Sequence, residues 1–293
     1  MNWWDDFAAI CRPDEPLARH TWYGLGGPAR WLLEPRNAGE LGRVVRRLRD
    51  AGIPWNVLGC GANLLVSDEG YDGAVIRLTA PGFQRLETDD AFVRCGAGWE
   101  FPKLIRACLS HRRVGLEALA GIPGRLGGMV RMNAGGRYGE VGDFVRDIVV
   151  VDADGRVEAR TRDRVGFHYR GTELSDTIVV DVTLALPEAD PAPARERHQR
   201  IWKEKHDSQP ALSQRSSGCV FKNPDGAPAG RLLDEAGLKS ARVGGAEISS
   251  RHANFIVADA NASARDVLTL IELARDRVRR HFGVELQLEV QVW

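Results

Sequence analysis

The stretch GIPGRLGG at residues 121–128, which continues through Asn133 to Gly139, decides the fold of this 293-residue chain. Seven of the nineteen residues from Gly121 to Gly139 are glycine. Ordering so many glycines costs conformational entropy unless something large packs against their backbone. Because glycine has no Cβ, its main-chain amides can approach an anion closely. The stretch therefore favours a nucleotide-binding loop.

A second glycine-rich loop, GCGAN at residues 59–63, follows the apolar run Trp55–Leu58. It is not the Rossmann fingerprint, because Leu64 occupies the place of the third glycine and a strand-like run follows instead of a helix. Taken alone, the loop is more typical of a tight turn than of a phosphate cradle. Two such loops in one chain suit the two ends of a pyrophosphate, so the pair favours a dinucleotide site.

Hydrophobic periodicity outside these loops predicts a mixture of helices and strands. An amphipathic helix is expected from Asn37 to Gly52, and a hairpin turn at Asp152–Gly155 after the apolar run 148–151. A further strand is expected at 178–184. The proline-rich segment 187–193 (PEADPAP) is the best candidate for a linker, since prolines do not enter a sheet interior.

The C-terminal part carries clear boundary signals. Ser263 and Asp266 resemble a capping box, and Gly283 is placed to end the helix that follows. Apolar and polar residues alternate from Val284 to Val292, which predicts a half-buried strand with Glu289 on its polar face.

Composition excludes several classes of protein. Forty Lys and Arg balance forty Asp and Glu, so no overall field favours nucleic acid or an anionic membrane. No run approaches the ~20 apolar residues of a membrane-spanning helix. The N-terminal MNWWDD lacks the features of a signal peptide. The five cysteines are scattered without metal-like spacing, so a reduced cytosolic protein without a metal site is expected.

Isolated residues carry weaker signals. Cys219, in the segment SSGCVFKNP at 216–224, would usually be a small buried hydrophobe. Lys222 and Asn223 beside it could bind a phosphate or a sugar hydroxyl, or form an ordinary turn. Arg170 could pair with a carboxylate, and Glu289 and His252 could line a site, but each of the three is more often a solvated group.

Eight segments in register resemble the UDP-N-acetylenolpyruvoylglucosamine reductase family over nearly the whole chain. The matching segments are 21–29, 58–63, 121–135, 169–170, 218–224, 244–246, 252–256 and 286–290. The compact stretch between Leu186 and Ser216 is similar to that of the shorter subtype of this family.

This resemblance implies an α+β protein with a vanillyl-alcohol-oxidase/PCMH-type FAD-binding fold. Two FAD-binding subdomains would occupy residues 1–79 and 80–188, and a C-terminal α+β substrate-binding domain residues 189–293. The implied reaction is the NADPH-dependent reduction of UDP-N-acetylglucosamine enolpyruvate to UDP-N-acetylmuramate through non-covalent FAD. The implied protein is a cytoplasmic monomer with no nucleic-acid or membrane partner.

The resemblance also implies a set of site residues. The catalytic residues would be Arg170, Cys219 and Glu289, and the substrate-binding residues Tyr169, Lys222, Asn223 and His252. The FAD-binding residues would be Gly59, Cys60, Gly61, Ala62, Asn63, Ile122, Pro123, Gly124, Gly127, Gly128, Asn133 and Gly135.

The implied chemistry explains these residue types. Hydride addition to the enolpyruvyl group builds an enolate-like charge, which Arg170 and a protonated Glu289 with a raised pKa would stabilise. Cys219 would deliver the proton where many relatives carry Ser, and a thiol, with an ordinary pKa of about 8.5, is the stronger acid.

Three positions depart from the family pattern. Ala62 stands where a serine is usual, and Gln291 where an arginine is common. A substrate-contacting lysine of some relatives has no secure counterpart among Lys203, Lys205 and Gln209. The rival interpretations are another FAD-linked oxidase or dehydrogenase of the same fold and a non-catalytic nucleotide-binding module.

Overall fold

The computed structural model describes residues 3–89 and 92–293. The predicted subdomain ranges also contain Met1, Asn2, Asp90 and Ala91, which lie outside the described residues. The chain forms two compact units. The first comprises Met1–Pro13, Trp31–Cys60 and Gly73–Glu204, and the second Asp14–Arg30, Gly61–Asp72 and Lys205–Trp293. The three-domain boundaries expected from the sequence stay a prediction.

The described residues form six α-helices and six short 3-10 helices. The α-helices are α1 (Ala38–Asp50), α2 (Phe101–Ser110), α3 (Leu126–Arg131), α4 (Pro191–Ser208), α5 (Ala229–Glu235) and α6 (Ala264–Phe282). The 3-10 helices are Asp5–Phe7, Leu17–His20, Pro81–Phe83, Leu116–Leu119, Val141–Asp143 and Arg162–Arg164. Among residues 3–89 and 92–293, no helix has the length and apolarity needed to cross a membrane.

Sixteen strands occur in the same residues. They are β1 (Cys11–Pro16), β2 (Pro28–Leu33), β3 (Trp55–Val57), β4 (Leu64–Leu65), β5 (Tyr71–Ile76), β6 (Leu86–Thr88), β7 (Phe92–Gly96), β8 (Gly135–Gly136), β9 (Gly139–Glu140), β10 (Val145–Val151), β11 (Val157–Thr161), β12 (Ile178–Ala185), β13 (Arg242–Val243), β14 (Ala246–Ile248), β15 (Ile256–Ala258) and β16 (Gln291–Val292). The sheet orders are β1-β2-β5-β3, β11-β10-β12-β7-β6, β13-β14-β15, β16-β4 and β8-β9.

An antiparallel five-stranded sheet organises the first unit. Its central strand β12 pairs with β10 on one side and with β7 on the other. The inward residues of β10 and β12, such as Ile148 and Val182, are fully buried. Helix α1 packs on β10, and α3 packs on β12. Because α3 begins inside the glycine-rich stretch, its contact with β12 positions that stretch on the sheet.

The second unit has its own core beneath α6. Val267, Leu270 and Ile271 of this helix are buried against residues of the sheet β13-β14-β15 and of α5. The predicted capping box is present, since Ser263 Oγ accepts from Asp266 N at 3.1 Å and Asp266 Oδ2 from Ser263 N at 3.0 Å. Gly283 ends the helix in the left-handed region at φ 69°. Both predictions for this helix are confirmed.

Two predictions of element boundaries are wrong. The segment 187–193 is not all linker, because α4 begins at Pro191. Proline suits the first helical turn, because backbone nitrogens there donate no hydrogen bond within the helix. Alternation from Val284 to Val292 gives a regular strand only at β16. The reason is a change of partner: Glu289 N bonds to Val220 O, whereas Trp293 N bonds to Leu65 O.

Other expected elements are confirmed. Helix α1 has Asn37 as its N-cap, with the Asn37 side chain accepting from Glu40 N at 2.9 Å. Strands β10 and β11 pair as an antiparallel hairpin across the turn at 152–156. Strand β12 covers the apolar run 178–184.

Replacing Ser263 by Ala should lower the free energy of unfolding by about 1 kcal/mol, because the amide of Asp266 loses its capping oxygen. Urea denaturation measures the change. Thr269→Ala is the matched control in the same helix, since the Thr269 hydroxyl only bonds back to Arg265 O. Equal stability of Ser263→Ala and Thr269→Ala would contradict the prediction.

Candidate functional site

Main-chain hydrogen bonds fix the glycine-rich stretch of the first unit. Gly124 O accepts from Phe101 N, and Leu126 N donates to Trp99 O, both at 2.9 Å. Gly127 N donates to Ala97 O at 2.9 Å. The segment 124–127 therefore lies along residues 97–101. It leads into α3, which packs on β12. Its backbone is held at both ends of the turn.

Most glycines of this stretch are required by their protein neighbours. A Cβ at Gly124 would lie 2.8 Å from Met129 Sδ, and one at Gly127 would lie 3.0 Å from Ala97 Cβ. A Cβ at Gly135 would meet Glu140 Cβ at 2.5 Å, across the hairpin β8-β9. These three predicted FAD-binding residues lack a side chain because the space is already filled.

Gly128 and Gly59 are different, as is Gly136 in the hairpin β8-β9, where a Cβ would also meet no atom within 4 Å. A Cβ at Gly128 would meet no atom within 4 Å, and one at Gly59 would meet only Arg125 Cβ, at 4.0 Å. Arg125 precedes α3, so Gly59 lies beside the glycine-rich stretch. Two neighbouring loops of the first unit thus present bare backbone to open space. That arrangement fits a large bound group with phosphates, because no side chain keeps it from the main chain.

Gly61 has the geometry that the tight-turn interpretation of its loop requires. Its φ is 68°, and a Cβ there would lie 2.1 Å from His20 O. Gly61 O accepts from Trp22 N at 3.0 Å. In the loop 59–63, the first glycine therefore faces open space, whereas the second allows residues 20–22 to pack closely within the second unit.

A buried asparagine supports the turn that carries Arg170. Asn133 is fully buried; its side chain accepts from Gly142 N and donates to His168 O, both at 3.0 Å. His168 and Gly171 exchange two main-chain hydrogen bonds, so Tyr169 and Arg170 form the tip of the turn. The side chain of Asn133, a residue predicted to bind FAD, makes these two hydrogen bonds within the protein.

The backbone of Arg170 is strained. Its φ is +56°, a conformation that costs a non-glycine residue on the order of 1–3 kcal/mol and that often marks a functional site. Its guanidinium lies 5.0 Å from the centre of the Tyr169 ring, which is exposed. The turn therefore holds a cation at a fixed place on the first unit.

In the second unit, Cys219 and Glu289 lie on adjacent segments. Glu289 N donates to Val220 O at 2.8 Å, and Lys222 N donates to Gln287 O at 2.9 Å. On the other side, the Asn63 side chain donates to Glu289 O at 3.0 Å, and Gln291 N donates to Asn63 O at 3.1 Å. Folding thus brings two of the three predicted catalytic residues onto paired backbone.

The other predicted residues of this unit have structural contacts as well. The Asn223 side chain accepts from Ala229 N at 2.9 Å, at the start of α5. His252 Nδ1 accepts from Asn254 N at 3.2 Å. Burial lowers the pKa of His252, so its ring is neutral near pH 7 and can accept at Nδ1. Lys222 is partly buried.

Sequence analysis missed Asn254, which is buried beside Phe221. The segment 252–256 is one of the segments that resemble the reductase family. This resemblance is the sequence signal that could have identified Asn254. No pattern along the chain shows that the side chain of Asn254 is buried, since asparagine is usually a surface residue. Arg170 belongs to the first unit, and Cys219 and Glu289 to the second. Convergence of all three on one substrate stays a prediction, as do the roles of Cys60, Ala62, Ile122 and Pro123.

Comparison with known proteins agrees with this fold. An FAD binding domain matches residues 29–160, and the C-terminal domain of UDP-N-acetylenolpyruvoylglucosamine reductase matches residues 209–293. The UDP-N-acetylenolpyruvoylglucosamine reductase 2 of Symbiobacterium thermophilum is 43% identical over 96% of this chain and 92% of its own length. The reductase of Heliobacterium modesticaldum is 41% identical over 98% of this chain and 92% of its own.

Solved structures give the same result. The crystal structure of UDP-N-acetylenolpyruvylglucosamine reductase from Thermus caldophilus has a TM-score of 0.82 and 38% identity, covering 97% of this chain and 98% of its own. A solvent-stable cholesterol oxidase has a TM-score of 0.50 at 18% identity, covering 63% of this chain and 39% of its own. The likeness to the cholesterol oxidase concerns the fold alone.

The fold and the bare-backbone loops define an FAD-dependent oxidoreductase of the vanillyl-alcohol-oxidase/PCMH type, with a separate C-terminal α+β domain. The expected fold class and the FAD cofactor are confirmed. Within this class, the chain belongs to the UDP-N-acetylenolpyruvoylglucosamine reductase family.

Replacing Gly128 by Val should weaken FAD binding by about tenfold or more, which corresponds to about 1.4 kcal/mol. The new side chain would enter the space in front of the bare backbone, where a Cβ has no neighbour within 4 Å outside its own helix. Fluorescence titration of the flavin-free protein with FAD measures the effect, and urea denaturation checks that folding is kept.

Gly39→Val is the matched control, because Gly39 lies in α1, where a Cβ would make only an ordinary contact of 3.5 Å with Asn37 Oδ1. Gly128→Val that binds FAD as tightly as Gly39→Val would show that Gly128 does not face the cofactor.

Proposed function

We propose that this chain carries out the reaction of its family with Cys219 as the proton donor and with Arg170 and Glu289 as the groups that stabilise the developing charge. The reaction is the NADPH-dependent, FAD-linked reduction of UDP-N-acetylglucosamine enolpyruvate to UDP-N-acetylmuramate, a step of peptidoglycan precursor synthesis. The observation that carries the proposal is the main-chain hydrogen bond from Glu289 N to Val220 O, which pairs the segment of Cys219 with that of Glu289.

The residues fit the cofactor through bare backbone. Gly59 and Gly128 would lie against FAD, and the fixed segment 124–127 would keep the loop open. When bound, FAD supplies the hydride that it has taken from NADPH. The protein has to admit NADPH and the UDP-sugar, hold the enolpyruvyl group and supply a proton.

Arg170 and Glu289 would act on the carboxylate of the enolpyruvyl group. Hydride addition to the terminal carbon moves negative charge onto the neighbouring carbon and its carboxylate. The backbone of Arg170 is fixed in its turn, and the positive charge of its guanidinium would stabilise the transition state, in which this negative charge develops, more than the ground state. Glu289 can help only in its protonated form, as a hydrogen-bond donor.

Cys219 would complete the reaction by giving its thiol proton to that neighbouring carbon. The segment that follows it is fixed by main-chain bonds at Val220 and Lys222, which sets the place of the backbone that carries the sulfur.

The protein would work on soluble nucleotides in the cytoplasm as a monomer, with Tyr169, Lys222, Asn223 and His252 around the UDP-sugar. The balanced charge of the chain supports this setting, since no net field draws it to a membrane or to nucleic acid.

Cys219→Ser should retain substantial turnover, because a hydroxyl can take the same place as a weaker acid. Cys219→Ala should still be reduced by NADPH, but its reduced flavin should not be oxidised by the enolpyruvyl nucleotide, since no proton reaches the carbon. Anaerobic stopped-flow measurement of the two half-reactions separates the steps. Equal turnover of the wild-type protein and Cys219→Ala would remove Cys219 from the mechanism.

Purified protein should absorb in the flavin bands, lose this colour with NADPH in the absence of oxygen, and regain it when UDP-N-acetylglucosamine enolpyruvate is added. UDP-N-acetylglucosamine is the matched control, because it lacks the reducible double bond. A protein that takes up no FAD, or that regains its colour with the control sugar, would contradict the proposed function.

A further inference from the structure

Asn254 binds a backbone segment as a neighbouring strand would. Its side-chain oxygen accepts from Phe221 N at 2.9 Å, and its side-chain nitrogen donates to Phe221 O at 2.8 Å. Its own main-chain oxygen accepts from Val220 N at 2.8 Å. One residue, only 2% exposed, therefore satisfies three polar groups next to Cys219.

The segment of Cys219 needs these bonds because it lacks a regular sheet of its own. Gly218 has a φ of 78°, and the segment pairs with the chain end only through an isolated bridge between Phe221 and Leu288. Val220 and Phe221 are buried. Unsatisfied polar groups at such a place cost about 1–3 kcal/mol each, so without Asn254 the segment would move to reach water.

Asn254 and Glu289 hold opposite polar groups of Val220. Val220 N donates to Asn254 O, whereas Val220 O accepts from Glu289 N at 2.8 Å. A shift at Phe221 would therefore change the place of Cys219 relative to Glu289. Asn254 is itself fixed, since its main-chain nitrogen donates to His252 Nδ1 at 3.2 Å and the His252 ring packs edge-on against Phe255 at 5.0 Å.

We propose that Asn254 is a positioning residue, which holds the backbone of Cys219 in register with that of Glu289 so that the thiol can deliver its proton. This inference rests on the proposed function. It predicts a selective defect: reduction of the flavin by NADPH needs no proton from Cys219, whereas oxidation of the reduced flavin by the enolpyruvyl nucleotide does.

The test compares Asn254→Leu, which removes both side-chain bonds to Phe221 at similar volume, with Asn254→Asp, which removes the donor. The control is Ser263→Ala, in the same unit, which loses the cap of α6 and leaves the segment of Cys219 untouched. Stopped-flow traces give the two half-reactions, and peptide mapping gives the rate at which iodoacetamide alkylates Cys219. Mapping also separates Cys219 from Cys60.

In Asn254→Leu, we expect oxidation of the flavin by the enolpyruvyl nucleotide to slow by about tenfold or more relative to Ser263→Ala, while reduction by NADPH stays within about twofold. Alkylation of Cys219 should change in rate, and the enolpyruvyl nucleotide should protect it less. Asn254→Asp, which sets an acceptor against Phe221 O, should show the same pattern, and it decides the matter if Asn254→Leu does not fold.

Folded Asn254 variants that match Ser263→Ala in both half-reactions and in alkylation would overturn the inference. Equal slowing of the two half-reactions would also overturn it, because it would indicate a general structural role. A wild-type protein whose reduced flavin is not oxidised by the enolpyruvyl nucleotide would instead refute the proposed function, and the alkylation rates would then still report on the contact between Asn254 and Phe221.

Discussion

The pairing of Val220 with Glu289 is the constraint on which the candidate chemistry depends. A main-chain hydrogen bond fixes the two backbone segments relative to each other, and therefore the positions from which the side chains of Cys219 and Glu289 extend. Val220 is held from both sides, by Asn254 and by Glu289. Glu289 is held in turn by Val220 and by the side chain of Asn63. The thiol and the carboxyl that are proposed to act on the same small group are thereby carried by one connected set of bonds.

Buried amide side chains hold irregular backbone in both units. Asn133 joins Gly142 to His168 in the first unit, and Asn254 grips Phe221 in the second. In each case the supported segment carries a proposed catalytic residue one or two positions away. An amide offers one donor and one acceptor at fixed spacing, so it can replace the partner strand that a short segment lacks. This explains why loops with no regular sheet can still present Arg170 and Cys219 in defined places.

The glycines of the two loops fall into separate groups. Gly61, Gly124, Gly127 and Gly135 lack a Cβ because protein atoms already occupy its place, whereas Gly59 and Gly128 face open space. A glycine that relieves a clash preserves the loop, and a glycine that faces open space leaves the backbone accessible. Both kinds are needed, since bare backbone is useful to a ligand only when the loop around it keeps one shape. The high glycine content of the two loops therefore reflects both needs, a loop that keeps its shape and a backbone that a ligand can approach.

Local signals along the chain were sufficient to predict the helices with their caps at Asn37 and Ser263, the hairpin after β10, and the glycine-rich loops. The eight segments that resemble the reductase family, taken in order along the chain, predicted the fold class, the FAD cofactor and the family itself. Only the tertiary structure decided which glycines face open space, why the strand ending the chain is short, and that Asn254 supports the segment of Cys219. These features depend on which distant backbone comes within hydrogen-bond reach, and the residue pattern along a single segment does not contain that information.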